Sequence, residues 1–232
     1  MREIVLDTET TGLDPAKGHR IIEIGCVELF NLIPTSQNFH AYLDPERDIP
    51  EEAFRVHGIS SQFLAGKPVF AAIAGDFMKF IEGCKIVAHN AEFDLRFVNA
   101  ELALAGLPPI EPGRVVDTLA LARRKFPGGP NSLDALCQRF GIDASRRTKH
   151  GALLDAELLA DVYAELLGGR QASLSLGSSG LASLSASGPL LTSRPEPLAP
   201  RLDAQELERH RAFVAELGQE SVWAFYLEGS TE

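Results

Sequence analysis

Asp7 and Glu9 stand two residues apart, just where the apolar run Ile4-Val5-Leu6 stops. That run reads as a buried strand. In a strand, residues i and i+2 share a face, so the two carboxylates would point the same way, about 7 Å apart. Like charges held side by side repel unless a cation lies between them. The pair therefore has the character of half a site for hard divalent cations. The stretch Asp7-Thr8-Glu9-Thr10-Thr11-Gly12 can also be a strand-end turn, with Asp7 and the threonines capping main-chain groups.

Acids farther along bear on that choice. Asp94 closes His89-Asn90-Ala91-Glu92-Phe93-Asp94, directly after a second apolar strand, and Asp155 closes His150-Gly151-Ala152-Leu153-Leu154-Asp155. An acid in the first turn of a helix is also a favourable dipole partner, which gives Asp94, Asp117 and Asp155 a purely structural reading as well. His150 precedes Asp155 by five residues, roughly 500° of helical rotation. The two converge only if His150 lies on a loop ahead of the helix, which Gly151 permits. A loop histidine beside acids is a candidate general base, because its charge changes near neutral pH.

Positioning these groups requires a sheet. Residues 20–30 and 37–43 read as second and third strands in an antiparallel meander with the first. Helices are expected over 50–58 and 69–82. A fourth strand follows at 85–88, then a helix carrying Phe93, Phe97, Leu102 and Leu104. A short fifth strand, Val115-Val116, precedes helices beginning at Asp117-Thr118, at Asn131-Ser132 and near Ala152. Three meandering strands followed by alternating helix and strand predict an α/β fold, a mixed five-stranded sheet flanked by helices.

Length and composition bound the rest. The 232 residues suit one medium domain plus a tail. No apolar run reaches membrane-span length, and no secretory signal is expected at the N-terminus. Cys26, Cys84 and Cys137 read as buried, reduced thiols, neither zinc ligands nor disulfides. The net charge of −10 argues mildly against nonspecific nucleic-acid binding. Residues 123–149, however, hold seven cationic side chains against two carboxylates. This basic run leads into His150 and is a candidate phosphate-backbone contact. Residues 170–202 are rich in Gly, Ser, Ala, Leu and Pro and read as a flexible linker. Asp203 is a candidate N-cap, and the aromatics Trp223, Phe225 and Tyr226 beyond it suggest a docking segment over 203–232.

Asp7-x-Glu9, Asp94 and His150-x4-Asp155, with their flanking residues, resemble the DEDDh exonucleases of the ribonuclease H-like fold. The resemblance covers residues 4–165, and histidine in place of tyrosine selects DEDDh over DEDDy. The segment from Arg147 to Ala156, together with Val56-His57-Gly58-Ile59, is similar to the epsilon (proofreading) subunits of bacterial DNA polymerase III. The resemblance implies an exonuclease domain over 1–169 that hydrolyses the 3′-terminal phosphodiester of DNA and releases nucleoside monophosphates. It implies two divalent metal ions, Mg²⁺ or Mn²⁺, held by Asp7, Glu9, Asp94 and Asp155. His150 would then be the catalytic base, and substrate contacts would come from Asp7, Thr8, Glu9, Thr10, Glu52, His57, Asn90, Phe93 and Asp155.

It also implies partners at a bacterial replisome in the cytoplasm, away from any membrane. The 3′ end of DNA, single-stranded or frayed, is one. The sliding clamp is a second, bound through the peptide-like Gln171, Leu174 and Leu176. The polymerase III alpha subunit is a third, docked on Trp223 and Phe225, and a small third core subunit is a possible fourth. Two other readings stand beside this one. One is a free-standing nuclease acting on RNA or short oligonucleotides, and the other is a catalytically inactive tether between clamp and polymerase.

Overall fold

The computed structural model describes residues 1–145, 147, 149–168 and 203–217. The clamp-like peptide at Gln171, Leu174 and Leu176 and the aromatics Trp223, Phe225 and Tyr226 lie outside the described residues. The chain divides into two units, one holding the described residues up to 168 and the other those from 203 to 217.

The first unit is built on one mixed five-stranded sheet ordered β3-β2-β1-β4-β5. β1 (Arg2–Thr10), β2 (Ile21–Phe30) and β3 (Ile33–Tyr42) form the expected antiparallel meander. β4 (Lys85–Ala88) runs parallel to β1, and β5 (Val115–Asp117) runs parallel to β4. β3 differs from its predicted span of 37–43. It starts at Ile33 because Asn31 and Leu32 both take positive φ, 51° and 66°. Two such residues make a tight hairpin turn, so pairing resumes at once with Phe30 opposite Ile33.

The described residues of this unit form seven α-helices: α1 (Glu51–His57), α2 (Ser61–Leu64), α3 (Phe70–Phe80), α4 (Ala91–Leu104), α5 (Thr118–Lys125), α6 (Leu133–Phe140) and α7 (Ala152–Leu166). Their ends follow local chemistry. Ser132 accepts from the Ala135 N–H at the start of α6, and Gly141 ends it at φ 68°. Asp117 caps α5 through the Leu119 N–H. The four-residue α2 is not among the expected helices, since it is too short for a helical apolar period to show.

β1 is covered on both faces. Ile4 and Leu6 join a core with Phe77 of α3 and Phe97 of α4, whereas Val5 joins a second core with Leu136 of α6 and Leu159 and Val162 of α7. The strand alternation thus assigns odd residues of β1 to the α7 side and even residues to the α3–α4 side. The three cysteines are buried and unpaired. No helix among the described residues is long and apolar enough to cross a membrane.

In the second unit, Asp203 caps α8 (Ala204–Glu216) in a reciprocal capping box with Glu206. Leu207, Phe213 and Leu217 are exposed, and Val214 is buried.

Candidate active site

Odd-numbered Asp7 and Glu9 end β1 on the α7 side. In the β1–β2 register Asp7 stands opposite Gly25 and Glu9 opposite Glu23. Gly25 is the reason α7 can come so close. A Cβ there would collide with the main chain of Ala152 and Leu153, at the very start of the helix that carries Asp155. Even-numbered Thr8 points the other way, and its hydroxyl donates to Asp94 Oδ1 at 2.7 Å. Asp94 sits in the first turn of α4. Carboxylates from both faces of the sheet therefore meet around the end of a single strand.

The electrostatics are those of a cluster short of positive charge. Burial, then Asp94, Glu9 and Asp155, push the Asp7 carboxyl well above its ordinary range. Burial, followed by the charges of Asp155 and Glu23, pushes Glu9 up to about 8. Burial raises Asp94 to about 7 against the opposing hydrogen bond from Thr8. Glu23, buried and bonded to His40 Nε2 at 2.7 Å, adds a further carboxylate behind Glu9. Groups of this kind take cations readily. Oxygen or nitrogen donors of Glu9, His150 and Asp155 lie within 4.8 Å of one another, and a set of carboxylates with one imidazole suits hard divalent ions.

His150 is on the loop before α7, as its spacing requires, with Nδ1 3.3 Å from Asp155 Oδ2. Arg147 joins them. Its guanidinium is nearly buried, with Nε 2.6 Å from Asp155 Oδ1, a terminal nitrogen 2.7 Å from Asp155 Oδ2 and 2.5 Å from His150 Nδ1, and the other terminal nitrogen on Asp134. From the sequence, Arg147 stands out only as part of a motif and of a basic run.

A cleft of about 590 Å³ opens beside Glu9. Thr8, Glu9, Thr10, Glu52, His57 and Phe93 all line it, together with the unforeseen Leu13, Asp14, Lys17 and His19. His57 accepts the Ile59 N–H on Nδ1 at 3.0 Å, so in the neutral ring the proton sits on Nε2. That Nε2 is buried without a protein partner, and burial holds the ring's pKa down and so favours the neutral form. A buried N–H donor without a protein partner thus belongs to a residue lining the cleft. The Thr10 hydroxyl is committed to the Gly12 carbonyl at 2.6 Å.

Asn90 does not line the cleft. It is exposed in the left-handed region at φ 65°, and its N–H donates to Asp117 Oδ1. Much of the basic run is also engaged internally. Lys125 donates to the carbonyls of Glu165 and Leu166 at the end of α7, and Arg139 donates to the Pro130 carbonyl and lies over Phe126.

A family model described as exonuclease (RNase_T) matches residues 4–163. A DNA polymerase III subunit epsilon from Rickettsia felis is 46% identical over 222 residues, covering 94% of this chain and 97% of that protein. The subunit of the same name from Escherichia coli K12 is 50% identical over 186 residues, 77% of this chain and 76% of that protein. Among solved structures, exonuclease X in complex with 5′ overhanging duplex DNA superposes with TM-score 0.56 at 28% identity, over 71% of this chain and 90% of that one. The nuclease domain of 3′hExo, a DEDDh family member bound to rAMP, superposes at 0.61 and 21% identity, over 72% and 91%, a likeness of fold.

Proposed function

Because the chain belongs to the RNase_T exonuclease family, we propose that it removes nucleotides from the 3′ end of DNA as the epsilon-type proofreading subunit of a bacterial DNA polymerase III. The observation that carries this reading is the convergence of Asp7, Glu9, Asp94, Asp155 and His150 at one strand end beside an open cleft. Two epsilon subunits align with most of the chain, which supports the choice of DNA and of a polymerase partner.

Divalent cations, Mg²⁺ or Mn²⁺, would be held by Asp7, Glu9, Asp94 and Asp155. When bound, they supply Lewis-acid stabilisation of the charge on the attacking and leaving oxygens of the phosphodiester. The protein's own groups do the rest. Thr8 fixes the rotamer of Asp94. His57 offers its free Nε2–H to an oxygen of the terminal nucleotide, and Phe93 presents its ring to the sugar or base. His150 takes the proton of the attacking water. The product is a nucleoside monophosphate.

Outside the described residues, Gln171, Leu174 and Leu176 are proposed as the clamp contact and Trp223 and Phe225 as the alpha-subunit contact, in keeping with a cytoplasmic replisome component. The test is digestion of 3′-labelled DNA primers, paired or mispaired at the end, with and without Mg²⁺, beside an RNA primer of the same sequence. Metal-dependent release of monophosphate from DNA, abolished in Asp7→Ala, is expected. Preference for the RNA primer, or release that survives Asp7→Ala, would overturn the reading.

A further inference from the structure

Four carboxylates surround one strand end, yet among the described residues one cationic side chain, Arg147, is in contact with any of them. Its guanidinium grips both oxygens of Asp155 and at the same time donates toward His150 Nδ1. It thus lies on two of the three groups whose donor atoms come within metal-ligand reach of one another. The fit is ionic and imperfect. Nε and Asp155 Oδ1 are 2.6 Å apart, but their angles do not make a hydrogen bond, and both atoms are buried with no other partner. The far side of the same guanidinium is bonded to Asp134 of α6, whose side chain is exposed.

Charge balance governs the fate of this contact. Two divalent cations carry four positive charges and neutralise four carboxylates by themselves. With the ions in place, Arg147 becomes a surplus cation in a site of restricted solvent, where like charges repel more strongly than in water. Asp134 offers it a solvent-facing alternative without breaking its hold on the loop.

We propose that Arg147 is a stand-in cation that occupies the carboxylate site of the metal-free protein and is displaced when divalent ions enter, remaining tethered to Asp134. This rests on the metal-dependent nuclease reading above. While Arg147 holds His150 Nδ1, that nitrogen accepts a hydrogen bond and cannot accept a proton from water. Displacement therefore couples metal entry to release of the base, which makes Arg147 a positioning residue for both Asp155 and His150.

The test is Mn²⁺ binding to the full chain, followed by the electron-spin resonance of the free ion, in the wild type and in Arg147→Met, which keeps the stem and removes the charge. Arg147→Met is expected to bind Mn²⁺ roughly tenfold more tightly, about one decade of binding constant for the loss of a competing ion pair. In chelator it should unfold at a lower temperature than the wild type. In the wild type alone, the Arg147 Nε–H resonance, assigned by its absence in the variant, should move on Mg²⁺ addition. Weaker Mn²⁺ binding in Arg147→Met with an unmoved wild-type resonance would show that Arg147 stays in place as a structural support, and the proposal falls. If the wild type binds no Mn²⁺ at all, the metal reading of the site fails with it.

Discussion

At the scale of single residues, protonation sets how the metal-free site behaves. Glu9 and Asp94 are raised to about 8 and about 7 in the folded chain from ordinary values of 4.5 and 3.8. The folded state therefore binds these protons more tightly than the unfolded state. The stability they contribute is fully present below their ordinary values and is lost as pH rises through about 7 to 8. In chelator, the thermal midpoint should fall from about pH 5 to about pH 8, and Glu9→Gln should flatten the slope. Mg²⁺ should restore the midpoint at high pH. A midpoint that rises across this window would contradict the buried-carboxylate account. His150 gives a second expectation at this scale. His150→Gln should keep Mn²⁺ binding and lose roughly 10²–10⁴-fold in hydrolysis rate, the usual contribution of a general base. Full activity in that variant would remove His150 from proton transfer.

These residues also show which parts of the site are legible in the chain itself. Asp7 and Glu9 stand out because two carboxylates end an apolar strand, and His150 because it stands five residues before a helical acid, whereas Asp94 and Asp155 read locally as helix-start acids and are picked out by their resemblance to the exonuclease motifs. Glu23 carries a similar signal, an acid between Ile22 and Ile24 in a strand. In the fold it is buried and bonded to His40. Arg147 shows only as part of a motif and a basic run, and its role stays hidden because its partners Asp134 and Asp155 lie on two different helices. Asn90 is assigned to substrate by its motif; its main-chain N–H bonds to Asp117 and its side chain is exposed.

At the scale of elements, the close approach of α7 to β2 matters most. Gly25 lacks the atom that would meet Ala152 and Leu153. Alanine there must push out the first turn of α7, and with it Asp155 and the His150 loop. Overpacking of this kind costs about 1–3 kcal/mol, but the shift in the carboxylates should be the larger effect. Gly25→Ala is expected to fold, to unfold at a lower temperature and to lose most of its nuclease rate and Mn²⁺ affinity. Isothermal titration and a primer assay measure both, and a variant with wild-type Mn²⁺ affinity would show that the helix has room to spare. This requirement is not visible in the sequence, since a lone glycine inside a strand names no neighbour. The helices and central strands are visible, because apolar spacing and caps such as Ser132 and Gly141 are local properties. The start of β3 is not, because its first residues, beginning with the exposed Ile33 and Pro34, show no alternation of buried and exposed positions, and the hairpin turn brings them into register.

At the scale of the whole molecule, every residue proposed for chemistry lies before residue 169, and every residue proposed for docking lies after it. A fragment of residues 1–169 is therefore expected to be stable and to retain full exonuclease rate, while losing binding to polymerase and clamp. Double replacement of Gln171 and Leu174 by alanine in the full chain should weaken the clamp contact alone. Replacement of Trp223 and Phe225 should weaken the polymerase contact alone. Titration against each purified partner measures these losses, and a 1–169 fragment that keeps full polymerase affinity would place the docking surface on the nuclease unit.

The central position of β1 has a consequence for the order of events during synthesis. The strand that carries Asp7 and Glu9 emerges first, and its hairpin with β2 forms from neighbours in sequence. Its α7-side core, however, waits for residues 152–166, and Asp155 and His150 arrive with them. Domains assemble as the chain leaves the ribosome, and contacts this distant in sequence close late. A nascent chain is therefore unable to cut nucleic acid for most of its translation, although both of its strand-borne acids are already exposed. Chains stalled with residues up to 145 outside the ribosome should bind Mn²⁺ weakly and cleave nothing, whereas those released to 169 should do both. The site of this nuclease unit is therefore completed only when its last helix docks on β1 and β2.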